Sequence, residues 1–302
     1  MSSLERAFMA RASILRQAQD GSIPWSQLTK LMLKATNSGQ AIDWSAFPND
    51  FSWSGFPENA SPEVVNQSSL FEMDEVSDVD LDPYVASLEN LQEIDIKFRL
   101  CIEEDFPSRV MDVSSPPPFL FFSGEFLEGD SESVAIIGTR RASHQGLDAA
   151  SRIARELAVE GRPVVSGLAA GIDTAALSSS LENGGRTIAV IGTGILQAYP
   201  TENSQLQRTI ADRGLLISQF LPNAAPSKAS FPMRNAVMAA YADASLVIEA
   251  GDRSGARMQA RIASEMGRKV FLYEPIMASE GWAVAMVDDG KARFITTAGD
   301  LD

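Results

Sequence analysis

From residue 134 onward the chain repeats a single pattern: an apolar run of five to seven residues, a loop, then a stretch of helical period. The runs are VAIIG (134–138), PVVSG (163–167), TIAVIG (187–192), LLISQF (215–220), ASLVIEA (244–250) and KVFLY (269–273). They are apolar almost throughout rather than at alternate positions, which marks strands buried on both faces. Strands of this kind alternating with helices define an α/β chain with a parallel sheet and helices on both faces. Crossovers in such a sheet are right-handed, and ligands bind beyond the carboxyl ends of the strands. The loops that follow the apolar runs are therefore where function is expected.

The front of the chain differs in composition. Residues 1–132 carry 8 Lys+Arg against 23 Asp+Glu, which accounts for the whole net charge of −15, whereas residues 133–302 carry 17 of each. Two domains are expected, an acidic N-terminal region over 1–92 and a sheet domain over 93–302. Leu4, Phe8, Ala12 and Leu15 recur at helical spacing, the GSIP segment (21–24) breaks the pattern, and Ser26–Leu33 resumes it. Residues 37–68 read as irregular. The acidic run EMDEVSDVDLD (72–82) suits a solvated linker or an acidic arm that docks on a partner. IDIKFRL (94–100) alternates like a strand, and SSPPPFLFFSG (114–124) is a proline-stiffened loop running into an apolar strand.

Several classes of function are disfavoured. No run of 18 apolar residues suggests a membrane span, and the N-terminus lacks the pattern of a secretory signal. The single cysteine, Cys101, has no disulfide partner and reads as a small buried apolar residue. A cytoplasmic protein is expected. The single histidine, His144, and the absence of CxxC, HExxH or an acidic calcium loop argue against metal chemistry. No cofactor is expected.

Five loops carry candidate ligand groups. The first, Gly138–Gly146, ends a strand with glycine, follows with Arg140 and Arg141 and opens a helix. It suits a phosphate or an ordinary strand-to-helix turn, and it is neither GxGxxG nor a Walker loop. The second, Ser166–Asp173, has two glycines, Gly167 and Gly171, that let the backbone approach a ligand closely, and Asp173 is placed to cap the next helix. In the third, Gly192–Asn203, Tyr199 is a packed loop aromatic or a platform for a base. The fourth offers Lys228, Phe231, Arg234 and Asn235. The fifth offers Arg253, Ser254, Gly255 and Arg257. Arg140, Arg141, Lys228, Arg234, Arg253 and Arg257 all fall at one edge of the expected sheet, which suits a phosphate backbone better than any single loop does. No nucleophile–base pair accompanies them, and Glu249, at a strand end, reads as a loop-fixing residue. Binding without catalysis is expected.

In this order the loops resemble the DNA-processing protein A (DprA/Smf) family. The resemblance rests on VAIIGTRRAS (134–143), VVSGLAAGIDTAA (164–176), GGRTIAVIGTGILQAYPTEN (184–203), GLLISQF (214–220), FPMRNAVMA (231–239), LVIEAGDRSGARMQAR (246–261) and GRKVF (267–271), and extends over about residues 93–301. It implies an extended Rossmann-like domain, a homodimer, binding of single-stranded DNA without sequence preference, and loading of the RecA recombinase. Arg140, Ser166, Gly167, Lys228, Arg234, Asn235, Ser254 and Gly255 would lie in or near the DNA groove. The chain departs from the family pattern at Ala170, Met233 and Ala236, where basic residues are usual, at Leu177 in an AAH-like triplet, and at Gln259 in place of a threonine. Loss of three charges weakens phosphate binding, and Arg257 would restore one. Two other functions are compatible with the sequence. One is a DprA-like regulator or antitoxin in a bacterial toxin–antitoxin or phage-defence pair, its acidic front contacting a toxin-like protein partner. The other is a nucleotide sensor or hydrolase of the related lysine-decarboxylase-like group, whose PGGxGTxxE-like loop is here Ala250–Gln259 without the glycine run or the glutamate.

Overall fold

The structure is a computed structural model that describes residues 14–15, 18–19, 25–37 and 82–301. The helix expected from Leu4 is described only at residues 14–15 and 18–19, which are helical. The irregular stretch 38–68 and the acidic run up to residue 81 lie outside the described residues. The chain forms two compact units. The first takes the described residues up to Phe106 together with Pro117–Phe119, and the second takes Pro107–Pro116 and the residues from Leu120 onward.

The first unit contains helices α1 (Trp25–Asn37) and α2 (Asp82–Glu93) and a short strand, β1 (Lys97–Leu100). Leu28 and Met32 of α1 and Leu88 and Leu91 of α2 are buried at helical spacing. Phe119 gathers the aromatic side chains of this unit, with ring centroids 5.4 Å from Trp25 and 5.3 Å from Phe98. The strand expected over 94–100 begins only at Lys97, because Asp95 sits in the left-handed region with φ 57° and interrupts the extended run. Cys101 is buried, and that burial pushes its thiol up to about 12.

The second unit is built on β2 (Phe119–Gly124, entering the unit at Leu120), β3 (Val134–Ile137), α3 (His144–Val159), β4 (Val164–Ser166), α4 (Ile172–Glu182), β5 (Thr187–Ile191), α5 (Ser204–Arg213), β6 (Leu215–Ser218), α6 (Ser230–Tyr241), β7 (Ala244–Val247), α7 (Gly255–Glu265), β8 (Lys269–Tyr273), α8 (Glu274–Met277), α9 (Gly281–Asp288) and β9 (Arg293–Ile295). The six apolar runs are all strands. Within this unit the strand order is β2-β6-β5-β4-β3-β7-β8-β9. Neighbours from β6 to β9 are parallel, as expected of strands buried on both faces. The apolar strand after the prolines, β2, is antiparallel to β6, with Phe121 opposite Ser218. Helices flank a mostly parallel sheet, which is the Rossmann-like architecture.

Packing follows from the residue types. Val134 and Ile136 of β3, Leu246 of β7 and Phe271 of β8 form one buried cluster with Ala150, Ile153 and Leu157 of α3 and Ile172 and Ala176 of α4. Alanines on the facing sides of α3 and α4 let the two helices approach closely. Asp130, in the turn before β3, is a buried carboxylate with four donors: Arg186 Nε and Nη2, each at 2.9 Å, the Tyr241 hydroxyl at 2.8 Å and Leu127 N–H at 3.1 Å. This bonding answers the cost of burying its charge. Among the described residues no helix is long and apolar enough to cross a membrane.

Strand order fixes where a ligand can enter. From β3 the chain winds outward through β4, β5 and β6 on one side, and through β7 and β8 on the other. Val134 therefore pairs with both Val164 and Ala244. The winding reverses between β3 and β7, and beyond the carboxyl ends of these two strands a crevice opens.

Candidate nucleic-acid interface

Glycines and one carboxylate shape the walls of this crevice. Gly171, at φ 83°, lies so close to Thr139 and Arg140 that a Cβ there would overlap their backbone. A Cβ on Gly138 would overlap Ile172. The loops after β3 and β4 thus sit back to back, joined by Ile172 N–H donating to Thr139 O at 3.4 Å. Glu249, just beyond β7, completes the wall. Its backbone carbonyl accepts from Thr139 N–H at 2.7 Å, and its carboxylate accepts from Ser143 N–H at 3.0 Å and Ser143 Oγ at 2.8 Å. Glu249 is the loop-fixing residue the sequence suggested. Ser143 Oγ in turn accepts from Gly146 N–H and caps α3, which starts at His144.

The floor is a buried arginine, Arg234, near a buried acidic side chain, Asp173. Arg234 projects from α6 and donates through Nη1 to the carbonyl oxygens of Gly167 and of Val190, the latter at 2.8 Å, and through Nε to Asn235 Oδ1 at 2.9 Å. Its guanidinium lies against Gly167, where any Cβ would collide with it. Asp173 does not cap α4, contrary to the expectation from sequence. Gly171 holds the cap position, and Asp173, inside the first turn, reaches back to accept from Gly167 N–H at 3.1 Å and Ala169 N–H at 3.3 Å. Burial raises the Asp173 carboxyl above its ordinary range, against the opposing pull of Arg234. The same burial lowers Arg234 to about 10, with Asp173 pulling upward and Arg140 downward.

Above this floor is a cleft of about 390 Å³. Of the residues expected to hold phosphate, Arg140, Arg141, Arg234, Asn235, Arg253, Ser254 and Gly255 line it. Arg140, Arg141 and Arg253 are exposed. Ser254 Oγ accepts from Arg257 N–H at 3.1 Å and caps α7, whose first amides open on the cleft at Gly255 and Ala256. These amides have no carbonyl one turn back within the helix to accept from them, and they carry the positive end of its dipole. At the rim Arg140 lies over the Phe231 ring at 4.9 Å, and Tyr199 meets the same ring at 5.6 Å. Tyr199 packs on Phe231 and is also 40% exposed, so it is both a packed aromatic and an available face.

Four expected residues lie outside the cleft lining. Ser166 is fully buried and donates its hydroxyl to Ile136 O at 2.6 Å, so it braces β3 from below. Lys228 is exposed on the turn before α6, outside the cleft lining. Arg257 turns away to Asp252 Oδ1 at 2.9 Å and to the Trp282 ring at 5.6 Å. Gly167 serves the site as a seat for Arg234. Sequence reasoning assigned no site role to Gln259, which lines the cleft and is buried. Its spacing of one helical turn from Gly255 was the available signal. Among the described residues no group of His, Cys, Asp and Glu has the arrangement of a metal site.

The chain is a doubly wound α/β protein in which arginines and a helix N-terminus converge at the switch point, an arrangement that suits an anion. The family model "DNA recombination-mediator protein A" matches residues 97–301, and the chain belongs to that family. Curated relatives include protein Smf of Synechocystis, 39% identical over 61% of this chain and 47% of its own length. The DNA processing protein DprA of Streptococcus pneumoniae is 38% identical over 56% of this chain and 60% of its own. The chain thus spans about half to three-fifths of the length of these two relatives. Among solved structures, DprA of S. pneumoniae superposes with a TM-score of 0.71 at 26% identity, covering 100% of this chain and 97% of that one. DprA of Helicobacter pylori, described for its single-stranded DNA binding mode, superposes with a TM-score of 0.61 at 28% identity, covering 68% and 94%.

Proposed function

We propose that this protein binds single-stranded DNA in the cleft at the β3–β7 switch point and acts as a recombination mediator that presents the strand to RecA. One observation carries the reading: Arg140, Arg141 and Arg253 converge with the N-terminus of α7 beside an aromatic rim. The arginines and helix amides hold phosphates, and Tyr199 offers an exposed face on which any base can stack. The proposed role is to hold the strand and not to cut it. A homodimer in the cytoplasm fits this role.

The test is fluorescence anisotropy of a labelled single-stranded oligonucleotide titrated with the full chain across a salt series. Three exposed arginines, at about 0.7 per phosphate on a single strand, give an expected log–log slope of about −2. No binding at low salt would overturn the proposal. It would favour a second reading, a regulator or antitoxin that contacts a toxin-like protein partner. The concentration of acidic charge in residues 1–132 and the loss of basic residues at Ala170, Met233 and Ala236 speak for that reading.

A further inference from the structure

Gln259 is the one polar side chain on the cleft wall whose burial is unexplained. It sits one turn into α7, lines the cleft, and is 1% exposed. Among the described residues its Nε2 has no hydrogen-bond partner. The other buried polar residues of the floor are committed. Arg234 holds the carbonyls of Gly167 and Val190, Asp173 holds two amides, and Asn235 Nδ2 donates to Gly255 O at 3.3 Å. A buried amide donor without an acceptor is costly, and native interiors keep few of them. Because Gln259 lines the cleft, a ligand atom bound there would answer that cost.

The surroundings indicate what that atom is. Gly255 and Ala256 present backbone amides at the start of the same helix, and Arg140 and Arg253 line the same cleft. These are all donors, which collectively suit an oxyanion. Resting on the single-strand reading above, we infer that Gln259 is a direct ligand of one DNA phosphate, donating from Nε2 to an oxygen of the group held at the N-terminus of α7. A neutral donor one helical turn from the cap thereby contributes to anchoring in a cleft that lacks basic residues at Ala170, Met233 and Ala236.

An uncharged ligand leaves a distinct signature. Counterion release counts charges, so removing a neutral donor lowers affinity without changing the salt slope. The experiment compares full-length wild type with Gln259→Leu, which keeps the volume and removes the donor, on a poly-dT oligonucleotide and on an abasic strand of equal length. Affinity is expected to fall about tenfold on both strands, since a tenfold loss is about 1.4 kcal/mol, of the order of one charge-assisted hydrogen bond. The slope should match that of the wild type, and the melting temperature without DNA should hold or rise. Wild-type affinity in Gln259→Leu would overturn the inference and leave the DNA-binding reading standing. A loss confined to poly-dT would also overturn it, by placing the contact on a base. A lower melting temperature with the affinity loss would make Gln259 a structural residue. Failure of the wild type to bind either strand would overturn both readings.

Discussion

Arg140 and Arg234 line one cleft and differ in kind. Arg140 is exposed and covers the Phe231 ring, so its charge is available to a ligand. Arg140→Ala is expected to reduce the magnitude of the salt slope for single-stranded DNA by about 0.7. Because the position is exposed, stability should change by no more than about 0.5 kcal/mol, readable by urea denaturation. Arg234 is buried over Asp173 and ties the ends of β4 and β5 together. Arg234→Met strands a buried carboxylate and is expected to cost about 3–5 kcal/mol, part of which Asp173→Asn should restore in the double variant. The pH dependence has a definite sign. Asp173 has a folded pKa raised above its unfolded value, so its contribution is present at low pH and is lost as pH rises through the folded value. Without Arg234 to oppose that rise, the stability of Arg234→Met should fall more steeply than wild type as pH climbs above the ordinary carboxylate range.

At the scale of elements, the ends of helices and strands build most of the cleft. Arg257, in the first turn of α7, was expected among the phosphate ligands on sequence grounds, yet it is bound to Asp252 and Trp282. Arg257→Ala should therefore change the salt slope less than Arg253→Ala, measured by the same anisotropy titration. The turn after β9 is closed by Asp300, which accepts from Thr296 N–H at 2.9 Å and Thr297 N–H at 2.8 Å. These bonds lower its pKa from 3.8 to about 2. A lowered folded pKa gives stability that is present above the unfolded value and lost as pH falls through the folded one. The stability advantage of wild type over Asp300→Asn should therefore shrink between pH 3.8 and about 2, followed by acid denaturation.

The same contrast explains what was legible beforehand. Every apolar run became a strand because burial on both faces is written into consecutive residues. The antiparallel direction of β2 was not legible, because direction depends on which edge the chain reaches. Asp173 looked like a cap from its position before a helical stretch, and only the folded loop shows it turned back to Gly167. Lys228 and Arg257 illustrate the limit of counting charges at one sheet edge. Being on the right loop does not decide where a long side chain ends, which depends on partners such as Asp252 that compete for it. The converse is Gln259, noted only as a departure from the family's threonine because its place inside the helix, behind the loop, did not by itself mark it as lining the cleft.

For the whole molecule the charge division is the leading variable. The acidic residues of 1–132 raise the cost of bringing a polyanion near the chain at low ionic strength. Replacing Asp74, Glu75, Asp78 and Asp80 by their amides should raise affinity for single-stranded DNA at low salt. The gain should vanish toward 1 M, where the screening length is about 3 Å. A gain that persists at high salt would instead mean a direct contact made by this segment. The position of β3 has a further consequence in the order of synthesis. Val134 finds Val164 early, but its other partner, Ala244, is translated far later, and α7 and Gln259 follow it. A nascent or prematurely ended chain holds Arg140 without the opposite wall of its cleft. The cleft is therefore completed late in synthesis, and on the proposed function an unfinished copy would lack its DNA site.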